Sequence, residues 1–128
     1  MAKKVVLVDD SQTVHLSLEI AMEDLVNSGE IEKISYLNPL EFKDDVENGF
    51  MYDLCITDIN MPEMNGLDLT KFLKTNSSTK MRPILALTTE SSPQMKQKGK
   101  EAGLTGWISK PFTNDKVITA IKRVLRIR

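Results

Sequence analysis

Three carboxylates, a hydroxyl and an ammonium stand where this sequence could do chemistry: Asp9 and Asp10 after V-V-L-V, Asp58 after L-C-I-T, Thr88 after P-I-L-A-L, and Lys110 after G-W-I-S. Most of these positions follow apolar runs of the kind that fill a strand buried on both faces. Asp9, Asp10 and Asp58 gathered in a low-dielectric site would repel one another, so the cluster calls for a cation. Oxygen ligands without His or Cys favour Mg2+ over zinc or copper. A phosphoryl group is the natural guest, because the ion neutralises one side of it and Lys110 the other. Asp58 is then a candidate nucleophile, since carboxylates form aspartyl-phosphates, and Thr88 a candidate donor to a phosphoryl oxygen. Singly these residues say little: an Asp pair after a strand is also a common helix cap, and Lys-Pro is a common loop dipeptide. Their joint occurrence at four strand ends argues for a site.

The elements that must position them are legible as punctuation and period. Residues 3–8 read as a strand, and Ser11 caps a helix in which Val14, Leu18, Ala21 and Leu25 recur at helical spacing through Val26, before Asn27-Ser28-Gly29 stops it. Residues 31–37 alternate weakly, as an edge strand does. Asn38-Pro39 starts a helix that runs to Asn48-Gly49. The central strand stops at Thr57-Asp58, and Pro62, Asn65 and Gly66 force a loop before a helix over 67–74. Residues 83–87 give another buried-type strand. Ser92-Pro93 opens a loosely held, mostly solvated helix to Ala102. Residues 106–109 form the fifth strand, and Thr113 caps a last helix with Val117, Ile121 and Val124 on one stripe. Five strands alternating with five helices predict a doubly wound α/β fold on a parallel sheet. Right-handed crossovers then bring every strand's carboxyl end to one side, where Asp9, Asp10, Asp58, Thr88 and Lys110 converge.

A chain of 128 residues fits one domain spanning 1–128, and 41% hydrophobic with 27% charged residues excludes a disordered or fibrous chain. No apolar stretch approaches the roughly 20 residues of a membrane span, and acids interrupt the first apolar run too early for a signal peptide. A cytoplasmic protein without membrane contact is expected. Cys55, the sole cysteine, permits no internal disulfide and reads as an inert core residue. His15, the sole histidine, sits beside Val14 and is expected at the surface, away from the strand ends. Residues 1–64 carry 4 Lys/Arg against 14 Asp/Glu, and residues 65–128 carry 13 against 4. The basic half lacks an Arg-rich recognition helix or interleaved aromatics, so nucleic acid is not expected; solvated helix faces are the first reading of its charge, and an acidic partner surface the next.

V-D-D-S, D-I-N-M-P-x-M-N-G, L-T-T-E and G-W-I-S-K-P-F together resemble, over the whole chain, the receiver domain of bacterial two-component response regulators, of the stand-alone CheY type. The resemblance implies the sheet order 2-1-3-4-5 of the flavodoxin-like class. It implies that Asp58 accepts a phosphoryl group from a sensor histidine kinase, and that Asp9, Asp10, Asp58 and the carbonyl of Asn60 hold Mg2+. Thr88 and Lys110 match the residues that move to the phosphoryl oxygens, Trp107 matches the switch aromatic, and Lys110-Pro111 matches a bond commonly cis. Asn60 and Glu90 match positions that tune phosphate lifetime, and this pair implies a short-lived signal. Thr89 stands where a smaller residue is common and narrows access for the donor. Trp107 lacks the hydroxyl of Tyr and is expected to lose one polar contact. A flagellar motor switch protein is the implied output partner, a phosphatase a further one, and a monomer the expected state.

Other readings compete for the same pocket. A phosphorelay intermediate or phosphate sink would use it unchanged. A Mg2+ phosphatase with an Asp nucleophile needs a second acid two residues on, where Asn60 stands. A flavin carrier of the same topology needs a phosphate loop where Asp9 and Asp10 stand.

Overall fold

A computed structural model describes residues 2–127. Its elements follow in the order β1 (Lys3–Val8), α1 (Gln12–Ala21), α2 (Glu23–Asn27), β2 (Ile31–Tyr36), α3 (Pro39–Glu47), β3 (Leu54–Thr57), α4 (Gly66–Thr75), β4 (Ile84–Thr88), α5 (Pro93–Ala102), β5 (Gly106–Ser109) and α6 (Asn114–Leu125). The five strands form one sheet in the order β2-β1-β3-β4-β5, and every pairing is parallel. This is the order the resemblance implies.

Each apolar strand serves two cores, because successive side chains point to opposite faces. Val5 and Leu7 of β1, Leu54 and Ile56 of β3, and Leu85 and Leu87 of β4 pack with Leu18, Leu25, Val117 and Ile121 from α1, α2 and α6. Val6, Val8, Cys55 and Ile84 pack on the other face with Phe42 and Val46 of α3 and Leu69 and Leu73 of α4. That double coverage is why these strands read as continuous apolar runs. The expected caps are in place: Ser11 accepts from Val14 N–H at 3.4 Å, Asn38 from Leu40 N–H at 2.9 Å, and Thr113 from Lys116 N–H at 3.2 Å.

One element departs from expectation. The single helix expected to run through Val26 is two, α1 and α2, broken at Met22, whose φ of −96° and ψ of 0° leave the helical region. There are therefore six helices among the described residues. Neither Gly nor Pro marks the bend. Met22 is fully buried there and Leu25 nearly so, and tertiary packing holds both in the core.

A cluster of acids at the carboxyl edge

The β1 backbone ends in Val8, and Asp9 N–H still bonds the Tyr36 carbonyl of β2 at 3.1 Å, so Asp9 is fixed as an extension of the ladder. Its side chain is fully buried, with Oδ1 accepting from Ser11 N–H at 2.9 Å. Asp10 beside it is exposed. Asp58 N–H bonds the Val8 carbonyl at 3.0 Å, which sets Asp58 directly across from the end of β1. Asp58 is 8% exposed, and its Oδ1 accepts from Ile59 N–H at 2.7 Å.

The loop after Asp58 is drawn back over it by Gly66. Gly66 N–H bonds the Ile59 carbonyl at 2.8 Å, and a Cβ on Gly66 would lie 2.1 Å from the Asp58 carbonyl oxygen. Only glycine permits that approach, which gives the Asn65-Gly66 step a structural reason beyond turn formation. Asn65 caps α4 by accepting from Asp68 N–H at 2.8 Å.

Lys110 enters from the far side of the sheet. Its N–H bonds the Thr88 carbonyl at 2.9 Å, and the Lys110-Pro111 bond is cis, as the resemblance implies. The ammonium donates to Asp9 Oδ2 at 2.9 Å and to Asp58 Oδ2 at 3.2 Å. Burial disfavours this ammonium, but the hydrogen bond to Asp9 and the charges of Asp9 and Asp58 outweigh it and raise its pKa. For Asp9 burial is the largest influence, and it raises the carboxyl pKa against the opposing pull of Ser11 N–H and Lys110.

Carboxylate oxygens of Asp9, Asp10 and Asp58 lie within 4.8 Å of one another. One ammonium serves two of the three acids, and the exposed side is open to solvent through Asp10. Hard oxygen donors at this spacing fit a small divalent ion such as Mg2+, with water filling the remaining positions. Thr88 is fully buried, and its Oγ1 accepts from Glu90 N–H at 3.2 Å, which leaves the hydroxyl proton available to a guest. Exposed Asn60 donates through Nδ2 to Glu90 Oε1 at 3.0 Å. Thr89 is exposed. Asp9, Asp10, Asp58 and Lys110 thus meet as a cluster, with Thr88, Asn60 and Glu90 bonded into the adjoining edge.

One expectation is corrected. His15 is 5% exposed, not at the surface, and its Nε2 donates to the Asp9 carbonyl at 2.7 Å. The spacing of six residues along a strand-to-helix turn is the signal that could have found it: the first turn of α1 folds back over the end of β1. The Trp107 indole Nε1 donates to the Glu90 carbonyl at 2.8 Å. Cys55 is fully buried with its thiol pKa pushed up by burial, in keeping with an inert role.

Residues 5–122 match the family of response regulator receiver domains, and the chain belongs to it. Among its relatives, the chemotaxis protein CheY1 of Helicobacter pylori is 34% identical over 116 residues, covering 86% of each chain. The polar-differentiation response regulator DivK of Brucella anthropi is 30% identical over 125 residues, covering 98% of each. The crystal structure of the chemotaxis response regulator CheY4 of Vibrio cholerae superposes with a TM-score of 0.86 at 35% identity, covering 98% of this chain and all of that one. The protein is therefore a response regulator receiver of the CheY and DivK type, a signalling domain.

Proposed function

We propose that residues 1–128 act as a Mg2+-dependent phosphoacceptor in which Asp58 takes a phosphoryl group from a sensor histidine kinase. The observation that carries this reading is the Lys110 ammonium bridging Asp9 and Asp58 while three carboxylates crowd within 4.8 Å. An Asp58 oxygen attacks the phosphorus, the O–P bond forms as the P–N bond to the donor imidazole breaks, and that nitrogen keeps the bond's electron pair and takes up a proton. Asp9, Asp10, Asp58 and the Asn60 carbonyl would hold Mg2+, which supplies charge neutralisation to the phosphoryl oxygens. Lys110 stabilises the same oxygens from the opposite side, and Thr88 donates its free hydroxyl proton.

The added charge and acceptors at Asp58 draw Lys110 and Thr88 inward and alter the surface around Trp107, α5 and β5. With CheY-type relatives at this level of identity, the fitting output in the cytoplasm is altered binding to a flagellar motor switch protein, and a phosphatase is a fitting regulator. The DivK relative, matched over nearly the whole of both chains, favours a second reading as a receiver in a phosphorelay outside chemotaxis.

The test is to incubate the protein with Mg2+ and acetyl phosphate, follow Trp107 fluorescence, and map the phosphate by mass spectrometry. A Mg2+-dependent change lost in Asp58→Asn, with the phosphate on Asp58, is expected. Phosphate on another residue, or labelling that survives chelation of the metal, overturns the reading. Saturable binding of the phosphorylated form to a motor switch protein favours chemotaxis; transfer from Asp58 to a histidine phosphotransfer protein without such binding favours the relay.

A further inference from the structure

A groove runs along the open edge of the sheet, outside the acidic cluster. Its floor is the face of β2 that carries Ile31, Lys33 and Ser35, and its wall is α1 and α2. The main section has a volume of 930 Å³. A continuation of 420 Å³ shares Leu16, Glu19, Lys33 and Ser35 with it and extends toward Asn38.

Two properties set this groove apart. Among the described residues, seven large hydrophobic side chains are exposed, and four of them, Leu16, Ile20, Val26 and Leu37, border it. Scattered apolar residues are ordinary on a surface, but clustering of this kind marks a place where something packs. The charged residues lining the groove are Glu19, Glu23, Glu32 and Glu41 against the single base Lys33. Its rim is therefore acidic around an apolar centre.

We propose that this groove is a docking site for an amphipathic helix of a partner protein, with aliphatic anchors on one face and flanking Lys or Arg side chains. Six residues of β2 give a channel of about 20 Å, the length of about 13 helical residues. Leu16 and Ile20 stand one turn apart along the wall, and Val26 continues the line on α2, which suits anchors at helical spacing. Charge complementarity selects a basic partner. The chain's own basic helices do not fit that description. α5 turns Gly99 and Ala102 inward and α6 turns Val117 and Ile121 inward, so neither pairs its lysines with exposed aliphatic anchors. The proposal does not depend on Asp58 being a phosphoacceptor.

The test titrates the isotope-labelled protein, residues 1–128, with a peptide of about 14 residues, Leu and Lys at amphipathic helical spacing. Two controls are used, one with the same composition scrambled and one with every Lys replaced by Glu. Saturable amide shifts on α1, α2 and β2 are expected, with the peptide becoming helical. Binding about tenfold weaker is expected for the scrambled peptide and for the exposed-site variants Glu23→Lys and Val26→Ser, and none for the acidic peptide. Shifts centred on another face, equal binding of the scrambled peptide, indifference to both substitutions, or a bound peptide without helix overturn the proposal. So does a concentration-dependent shift of the same residues without peptide, which would assign the groove to a second copy of this chain.

Discussion

Glu90 ties Thr88 to Trp107: its N–H donates to Thr88 Oγ1 at 3.2 Å while its carbonyl accepts from the Trp107 indole at 2.8 Å. Its side chain also accepts from Asn60. One residue therefore links the hydroxyl at the acidic cluster to the only indole in the chain. Drawing Thr88 toward a phosphoryl group loads both bonds. Thr88→Ala should leave Asp58 able to take phosphate from acetyl phosphate in Mg2+, yet largely remove the accompanying change in Trp107 fluorescence. Mass spectrometry and fluorescence on the same sample check it, and a full fluorescence response in the variant refutes the link.

Gly99 accommodates Trp107. A Cβ there would lie 2.8 Å from Trp107 Cζ3 and 2.7 Å from Leu104 Cδ1, both side-chain atoms that have to shift. Gly99→Ala gains about 1 kcal/mol in helix propensity but overpacks the ring by about 1–3 kcal/mol. The expected result is a net loss of up to about 2 kcal/mol in denaturant unfolding, accompanied by a red shift of Trp107 emission as the ring is displaced outward. Unchanged emission would count against this packing.

Burial raises the carboxyl pKa of Asp9 above its ordinary value, against the opposing bonds from Ser11 N–H and Lys110. Because burial raises its folded pKa, the stability it contributes is fully present below the ordinary carboxylate pKa and is lost as pH rises through the raised value. Asp9→Asn should therefore stabilise the metal-free protein at neutral pH by about 1 kcal/mol, since Lys110 keeps Asp58 as a partner. The gain should shrink as pH falls through the raised folded-state value and be gone below about 4, where the carboxyl is protonated in both states. Thermal melts with chelator across pH check the sign. The same variant should lose the stabilisation that added Mg2+ is expected to give the parent protein.

His15 positions the turn that presents Asp9 and Asp10. Its Nε2 must carry the proton, since it faces a carbonyl oxygen, and Nδ1 is buried without a partner. His15→Leu should cost about 1–2 kcal/mol and weaken Mg2+ binding severalfold by freeing the Asp9 carbonyl. His15→Gln, which keeps an N–H donor, should recover part of the metal affinity. Equal affinity in all three proteins, read by Mg2+ titration of Trp107 fluorescence, would make His15 a packing residue only.

The side chains of Asn60 and Glu90 meet at 3.0 Å, and both are polar groups able to hold water. The aspartyl-phosphate is expected to decay within minutes in Mg2+. A radiolabelled phosphorylated form persisting for hours would overturn that expectation.

Strand ends, caps and the gathering of Asp9, Asp10, Asp58 and Lys110 were determined by the sequence itself, because buried strands must be apolar throughout and stop where polar groups begin. Ser11, Asn38 and Thr113 cap helices through bonds only two or three residues long, which local spacing dictates. The bend at Met22, the Gly66 approach to the Asp58 carbonyl and the Trp107 bond to Glu90 were decided only by tertiary structure. Each depends on how separate segments pack against one another, and no period or propensity along the chain encodes a distance between residues that meet only when the sheet and helices close together.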